Sequence, residues 1–261
     1  MFSSVLVSEK ALSDELSKQK VTPSQYDFGG VGLIQMPTGR MAAEGEFSVN
    51  ATFNEDYYHG ALSIQLFPWL ETTIRYTQVP DVLYSNDPNF SGDTYYTDKG
   101  IDVKLRLLEE SYWIPETSIG VRDIGGTGLF EYIAMTKGFG PFDATIGFGW
   151  GYIGNRGNLT GTNKSSSVDC NRNTGYKGKG GNVDFERWFK GCSAVFAGIE
   201  YQTPWDPLRI KVEYDGNDYK SDFAALRTGN ELKQSSPINY GLLYKVSNWG
   251  DFKLSYERGN T

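Results

Sequence analysis

The sequence predicts an all-β protein, an antiparallel up-and-down transmembrane β-barrel with about 11–12 visible strands. Segments of alternating apolar and polar residues follow one another, and the links between them are short, then long, then short again. In an up-and-down sheet consecutive links lie at opposite ends, so one rim collects the short turns and the other the long loops. The short links nearly all carry Trp or Pro, at residues 67–70, 112–115, 139–141, 203–207 and 248–251, and the longest links are 80–98, 154–191 and 216–237.

Composition favours β-strands over helices. Apolar residues make up only 39% of the chain, whereas aromatic residues reach 15% and there are 31 glycines. This mixture suits strands with a single apolar face. A net charge of −7 argues against a nucleic-acid groove, which usually needs a basic patch.

The amino-terminal region is polar and precedes the barrel. We divide the chain into a polar leader, residues 1–26, and a barrel domain, residues 27–261. Residues 2–7 are too short to be the apolar core of a signal peptide. Residues 27–40 contain several glycines and Pro37, which predicts an extended, turning segment rather than a helix.

Eleven segments with period-two alternation follow this region. A typical example is Ile101, Val103 and Leu105, which alternate with charged residues. The predicted strands are residues 46–53, 58–66, 72–79, 101–107, 117–124, 131–137, 142–152, 195–201, 208–215, 240–244 and 252–257.

Alternation alone does not separate a soluble barrel from a membrane barrel. Three features favour the membrane: Trp at one strand end after another, the sorting of link lengths by side, and strands near the ~9–11 residues of a tilted span. With eleven strands the last one ends on the loop side. Closed bacterial barrels usually have an even strand number, so we expect at least one further strand beyond residue 261.

Two cysteines, Cys170 and Cys192, flank a long polar loop, and an even count in an exported protein predicts a disulfide. No second cysteine pair or nearby His completes a metal site, and we expect neither a metal nor another cofactor.

Charged residues occupy the polar face of several predicted strands. We call eight of them the lumen charge ladder: Arg75, Asp102, Lys104, Arg106, Arg122, Arg209, Lys211 and Glu213. They could form cross-strand ion pairs that fill a narrow lumen, or a polar wall for an anionic glycan, and the mixed signs fit both. We expect Arg122 and Asp123 to form a structural ion pair.

His59 is the only histidine and falls at a strand end on the long-loop side. A rim-sited hydrolase would need a nucleophile beside it, and no GxSxG motif is present. We therefore predict a solvated histidine and no catalytic residues.

Four segments together resemble the YjbH family, the exopolysaccharide biosynthesis proteins of Gram-negative outer membranes. They are GGVGLIQMPTGRM at 29–41, DKGIDVKLRLLEE at 98–110, GVRDIGGTGLF at 120–130 and GFGWG at 147–151. The resemblance implies an outer-membrane location and a role in secreting or assembling a surface polysaccharide. It supplies no catalytic residues, and members of the family are longer than this chain.

We therefore predict a non-enzymatic outer-membrane barrel that supports export or assembly of an exopolysaccharide or capsule, with its long loops extracellular. Its expected partners are outer-membrane lipid, a polysaccharide and other envelope proteins of a secretion system, and no nucleic acid. Loop aromatics Tyr84, Tyr95 and Tyr96 are candidates for stacking on the glycan. The alternatives are a passive porin-like channel for small polar solutes and, less favoured, the rim-sited hydrolase.

Overall fold

The computed structural model describes residues 21–85, 87–124, 129–159, 183, 185, 188–220, 222, 232 and 234–259. In these ranges it contains eleven β-strands, a short helix and a 3₁₀ turn at Tyr152–Gly154. The strands are β1 (Phe47–Phe53), β2 (Tyr58–Phe67), β3 (Leu70–Leu83), β4 (Tyr95–Leu108), β5 (Glu116–Arg122), β6 (Phe130–Phe139), β7 (Phe142–Gly151), β8 (Ser193–Gln202), β9 (Leu208–Tyr214), β10 (Ile238–Ser247) and β11 (Gly250–Tyr256), and the helix is α1 (Pro88–Ser91). Within the same ranges no helix is long and apolar enough to cross a membrane.

The strands form one sheet in which each strand pairs with its neighbours in sequence, from β1 through to β11. Every pairing is antiparallel. The predicted all-β, up-and-down arrangement is confirmed. In the described residues β1 pairs only with β2 and β11 only with β10, so the two edge strands are not joined to each other.

The links sort onto two rims, because consecutive strands run in opposite directions. The short-turn rim carries links 68–69, 109–115, 140–141, 203–207 and 248–249. The three longest links, 84–94, 152–192 and 215–237, share the opposite, long-loop rim with 54–57 and 123–129. β3 and β4 extend further toward the long-loop rim than the sequence predicted, and Pro80 lies inside β3.

The two faces of the sheet have opposite character, and the apolar face is the exposed one. Ile74 on the outer face is 61% exposed, whereas its neighbour Arg75 on the inner face is 4% exposed. The same contrast separates Ile101 from Asp102 on the next strand. A water-soluble sandwich or barrel has the reverse arrangement, with charge outside.

Residues 21–41, which we call the inner segment, lie against the inner face and are mostly buried. The sheet curls around them, since Asn50 of β1 donates to the Tyr26 carbonyl while Lys253 of β11 pairs with Asp27. Two isolated bridges, Gln25 with Val31 and Gly32 with Pro37, fold the segment back on itself. Val21, Ser24 and Tyr26, which the sequence assigned to the polar leader, are therefore buried with it.

A glycine pair allows the inner segment to turn close to the sheet. Gly29 and Gly30 have φ angles of 81° and 80°, in the left-handed region that favours glycine. A Cβ atom on Gly29 would lie 2.4 Å from the Cβ of Ala61 in β2.

Within the described ranges, buried apolar residues form two small clusters: Val79 with Val82 in β3, and a larger one that reaches the inner segment. Met36 of the inner segment contributes to it together with buried residues of the sheet and the 3₁₀ turn. The cluster consists of Met36, Phe130, Tyr132, Ala134, Ile153 and Phe196.

Candidate functional site: a charged inner face around residues 21–41

The predicted charge ladder lies on the inner face of β3, β4, β5 and β9. Alternation places these side chains there, because each shares the parity of the buried residues on its strand. Arg106 is half-buried and the other seven members are buried. Buried charges need partners, and the inner segment supplies many of them.

Two lysines donate hydrogen bonds to main-chain carbonyl groups of the inner segment. The Lys211 Nζ lies 2.9 Å from the Gly32 oxygen and 2.8 Å from the Leu33 oxygen. The Lys104 Nζ lies 3.0 Å from the Val31 oxygen and 2.5 Å from the Arg40 oxygen. Each ammonium group therefore donates to two carbonyls that would otherwise be buried without a hydrogen bond.

Two glutamates accept hydrogen bonds from the main-chain amides of the same segment. The Glu213 carboxylate accepts from the N–H groups of Ile34 and Met36, each at 2.9 Å, and of Gln35 at 3.1 Å. Glu71 accepts from the Val31 N–H at 3.1 Å. The inner face thus binds both the C=O and the N–H groups of the inner segment's main chain.

Arg40 anchors the carboxy-terminal end of the inner segment at the short-turn rim. It donates to both oxygens of Asp143, at 2.7 and 2.8 Å, to Glu116 at 3.0 Å and to Glu110 at 2.5 Å. Burial opposes its charge, but the Asp143 carboxylate, followed by Glu110 and Glu116, raises the pKa of the Arg40 guanidinium above its ordinary value.

Glu110 is the outermost carboxylate of this anchor. Burial alone would raise its pKa, but hydrogen bonds from the Gly138 amide, Arg40 and Lys137 lower the pKa of the Glu110 carboxyl to about 2. The Glu110 carboxylate is therefore ionised throughout the physiological pH range.

The amino-terminal end of the segment is held at the same rim. Arg209, which follows the 203–207 turn, donates to the Thr22 carbonyl at 2.6 Å and pairs with Glu200 at 3.0 Å. The Ser24 hydroxyl donates to Glu200 at 2.9 Å. Both ends of the inner segment thus lie near the short turns, and its middle reaches toward the long-loop rim.

The predicted ion pair between Arg122 and Asp123 is wrong, because the two side chains contact other groups. Asp123 pairs with Arg75 at 3.0 Å, and Arg75 also pairs with Asp102 at 2.8 Å. The Arg122 guanidinium lies over the ring of Phe28, 3.4 Å from its centroid, and 4.3 Å from the centroid of Phe130. Aromatic faces from the inner segment and β6 therefore surround a cation that the sequence assigned to a carboxylate.

A pair of acidic groups joins the inner segment to the end of β11. The Gln35 amide donates to Asp27 at 2.5 Å and to Glu257 at 2.7 Å, and Lys253 also pairs with Asp27. Burial, and then the adjacent Asp27 carboxylate, raises the pKa of Glu257 well above its ordinary value. The protonated form of the Glu257 carboxyl is therefore favoured.

The predicted rim tyrosines lie at the ends of β3 and β4. Tyr84 and Tyr95 are 48% and 42% exposed. The rings of Tyr84 and Tyr96 stack with their centroids 6.0 Å apart, and Tyr84 also stacks on Phe90 of α1. We call Tyr84, Phe90, Tyr95 and Tyr96 the rim aromatic patch.

His59 is buried, which corrects the prediction of a solvated residue. It stacks on Tyr57, meets the Phe28 ring edge-on at 4.9 Å and lies 3.0 Å from the Thr77 hydroxyl. The inner segment covers it, and no local pattern in the sequence shows this. The described residues contain no group of three or more His, Cys, Asp or Glu side chains that could hold a metal ion.

The predicted disulfide involves a residue that the structure does not describe. Cys192 is buried just before β8, whereas Cys170 lies outside the described residues.

Sequence reasoning missed the arginine of the inner segment and several carboxylates that complete the site. Their signal is the same alternation that located the ladder, since each strand carboxylate shares the parity of the buried residues on its strand. The missed residues are Arg40, Glu71, Glu116, Asp143 and Glu200.

These features define an all-β protein whose sheet buries charge around an internal segment and presents apolar side chains outward. The chain belongs to the YjbH family, described as exopolysaccharide biosynthesis protein YbjH, whose model matches residues 24–261. The predicted resemblance is confirmed. The chain is also 53% identical over 244 residues to the uncharacterized lipoprotein YjbH of Escherichia coli strain K12. That match covers 92% of this chain and 34% of the relative, so the chain spans about a third of the relative's length.

Proposed function

We propose that this chain is part of an outer-membrane β-barrel protein that supports export or assembly of an exopolysaccharide, without chemistry of its own. The observation that carries the membrane assignment is the reversed burial, with apolar side chains outside and ion pairs inside. Membership of a family named for exopolysaccharide biosynthesis supports the substrate class.

The short-turn rim has the aromatic residues expected at a membrane–water interface. Trp113 and Trp249 are 85% and 91% exposed, and Trp69 and Trp205 are more than half exposed. In water such exposure would leave large apolar surfaces unpaired, whereas in a bilayer it places indole rings at the headgroup level. We assign this rim to the periplasm and the long loops to the cell surface.

The course of the inner segment agrees with this orientation. Residue 21 lies near the short-turn rim, because its neighbour Thr22 binds Arg209 there. The E. coli relative is named a lipoprotein, and an anchor joined upstream of residue 21 would lie on the same side as the Trp-bearing turns.

The rim aromatic patch is the proposed first contact for the glycan. Tyr84 and Tyr95 offer exposed rings, and aromatic faces stack readily on the apolar faces of sugar rings. The ladder lies deeper and holds the inner segment, so a glycan reaches it only when that segment moves. Because the inner segment fills the space beside the inner face, a passive porin-like channel is disfavoured. The burial of His59 disfavours a hydrolase at the rim.

Paired arginine substitutions test the membrane assignment. Ile74→Arg places a charge on the outer face of β3, opposite Leu62 at the middle of β2, while Trp249→Arg places it in a turn. Both side chains are exposed. In a bilayer the first should cost about 2–4 kcal/mol and the second about 0–1 kcal/mol. Urea unfolding of the full-length protein in lipid measures this difference, and equal, small effects would indicate that the outer face meets water.

The glycan role is tested in the host bacterium. Deleting the gene should reduce secreted exopolysaccharide, and the double variant Tyr84→Ala, Tyr95→Ala should reduce it while the protein stays in the outer membrane. A matched control is Trp249→Ala, which removes an exposed ring from the opposite rim. Normal secretion after gene deletion would refute the proposal.

A further inference from the structure

The seam between β1 and β11 is the part of the described sheet whose main-chain groups lack a strand partner. Each edge strand also exposes its apolar residues strongly: Phe47 and Val49 of β1 are 71% and 77% exposed, and Phe252 of β11 is 61% exposed. An open edge leaves N–H and C=O groups unsatisfied, which a hydrocarbon environment does not tolerate. In water such an edge would be a template for pairing with another strand.

Strand direction limits what fits this seam. Because eleven consecutive antiparallel strands form the sheet, β1 and β11 both run from the short-turn rim to the long-loop rim. Joined directly, they would form a parallel pair in an otherwise antiparallel sheet. One intervening strand that runs in the opposite direction is antiparallel to both.

Contacts across the seam fit the width of one strand. Arg258, just after β11, pairs with Asp56 in the β1–β2 link at 2.5 Å. Asp27 lies between the edges, since its carbonyl accepts from Asn50 of β1 and its carboxylate pairs with Lys253 of β11. Two strands that flank a third lie about 9.5 Å apart, a distance that such side chains span.

The backbone after β11 is already turned for a reversal of direction. Arg258 and Gly259 have φ angles of 57° and 94°, and two successive positive φ angles mark the type I′ turn of tight β-hairpins. The Ser235 N–H holds this turn by donating to the Arg258 carbonyl at 2.8 Å. A Cβ atom at Gly259 would lie 1.6 Å from the Ser235 hydroxyl oxygen, so the turn requires glycine.

We infer that the seam receives one β-strand from the polypeptide that follows residue 261, which enters through the Arg258–Gly259 turn and closes a twelve-stranded barrel. This strand pairs antiparallel with β11 on one side and β1 on the other. It carries apolar residues beside Val49 and Leu254 and polar residues beside Asn50. The match covers 34% of the E. coli relative, so that relative is long enough to contain a further strand.

Photo-crosslinking in the full-length protein tests the inference. Benzoylphenylalanine is placed at Phe53 of β1, at Tyr256 of β11 and, as a control in an interior strand, at Ile74. Both edge probes should crosslink to one and the same peptide, located after residue 261. A crosslink from β1 to β11, a crosslinked dimer, or no protein crosslink from either edge would each overturn it.

Hydrogen exchange gives a second test that needs no substitution. In the full-length protein, amides of β1 and β11 should exchange as slowly as those of β2 and β10, because every edge N–H is then paired. Exchange at either edge about 100-fold faster than in its paired neighbour would refute a closing strand. Both tests are independent of glycan secretion, so failure of the proposed function leaves their outcome unchanged.

Discussion

Replacing Arg40 by methionine should release the carboxy-terminal end of the inner segment from the sheet. The side chain carries three carboxylate contacts, and the substitution keeps the aliphatic stem while it removes all of them. Glu110 retains Lys137 at 2.9 Å and Glu116 retains Arg106 at 3.4 Å. The substitution therefore affects the buried Asp143 carboxylate most, because Arg40 is the cation that pairs with it.

Breaking a buried pair by removing one partner costs about 3–5 kcal/mol. If that loss falls on the opening of the inner segment, local exchange should accelerate by roughly 150- to 5,000-fold. Arg40→Lys keeps the charge but not the two-pronged contact with Asp143, so we expect an intermediate effect.

Hydrogen exchange of the Gly39 amide in detergent micelles reports this opening, because that amide donates to the Thr136 hydroxyl at 2.8 Å. The matched control is Lys220→Met, which removes an exposed ion pair with Asp218 and should cost about 1 kcal/mol or less. Amides of β6 show whether the sheet itself stays folded. If Gly39 exchanges no faster in Arg40→Met than in Lys220→Met, Arg40 does not hold the segment.

Three further predictions concern backbone strain and pH. Gly29→Ala should lower the urea midpoint more than Gly45→Ala, because both positions have positive φ but only Gly29 has a neighbour within 4 Å of the added Cβ; equal losses would exclude the close approach as the cause. The pKa of Glu110 is lowered from 4.5 to about 2, so its stabilising contribution is complete above pH 4.5 and is lost as the pH falls toward 2; Glu110→Gln should remove this acid-dependent step from a pH series of urea midpoints. The pKa of Glu257 is raised above 4.5, so its stabilising contribution is complete below pH 4.5 and is lost as the pH rises through the raised value. Glu257→Gln should therefore gain stability relative to the unmodified protein as the pH increases, and a constant difference would refute the raised pKa of Glu257.

The strands were predictable because period-two alternation is a local property of the sequence. Ile101, Asp102 and Val103 show their faces without reference to any distant residue. The inner segment has no such period, and its partners lie far away in the chain. Asp27 and Lys253, for example, are separated by 226 positions.

The identity of the ladder's partners was unpredictable for a different reason. Lys104 and Lys211 bind main-chain carbonyls, and every residue of the chain carries that group. Only the folded course of the inner segment selects Val31, Gly32 and Leu33 from among them. The burial of His59 has the same origin, since Phe28 of that segment covers it.

Two interpretations of the lumen charge ladder followed from the sequence: ion pairs that fill a lumen, and a polar wall for a glycan. In the structure, different members of the ladder fit different interpretations. Arg75 and Arg209 have carboxylate partners within 3.0 Å, which fits the first interpretation. Lys104 and Lys211 lie farther from their carboxylates, Glu71 and Glu200, each at 3.8 Å, and donate their hydrogen bonds to carbonyl oxygens. A sugar hydroxyl accepts the same kind of hydrogen bond. Both lysines are buried against the inner segment, with Lys104 3% and Lys211 0% exposed, so a glycan can contact their ammonium groups only when that segment moves. In the proposed mechanism the rim aromatic patch therefore binds first, and the two lysines follow only after residues 31–33 have moved.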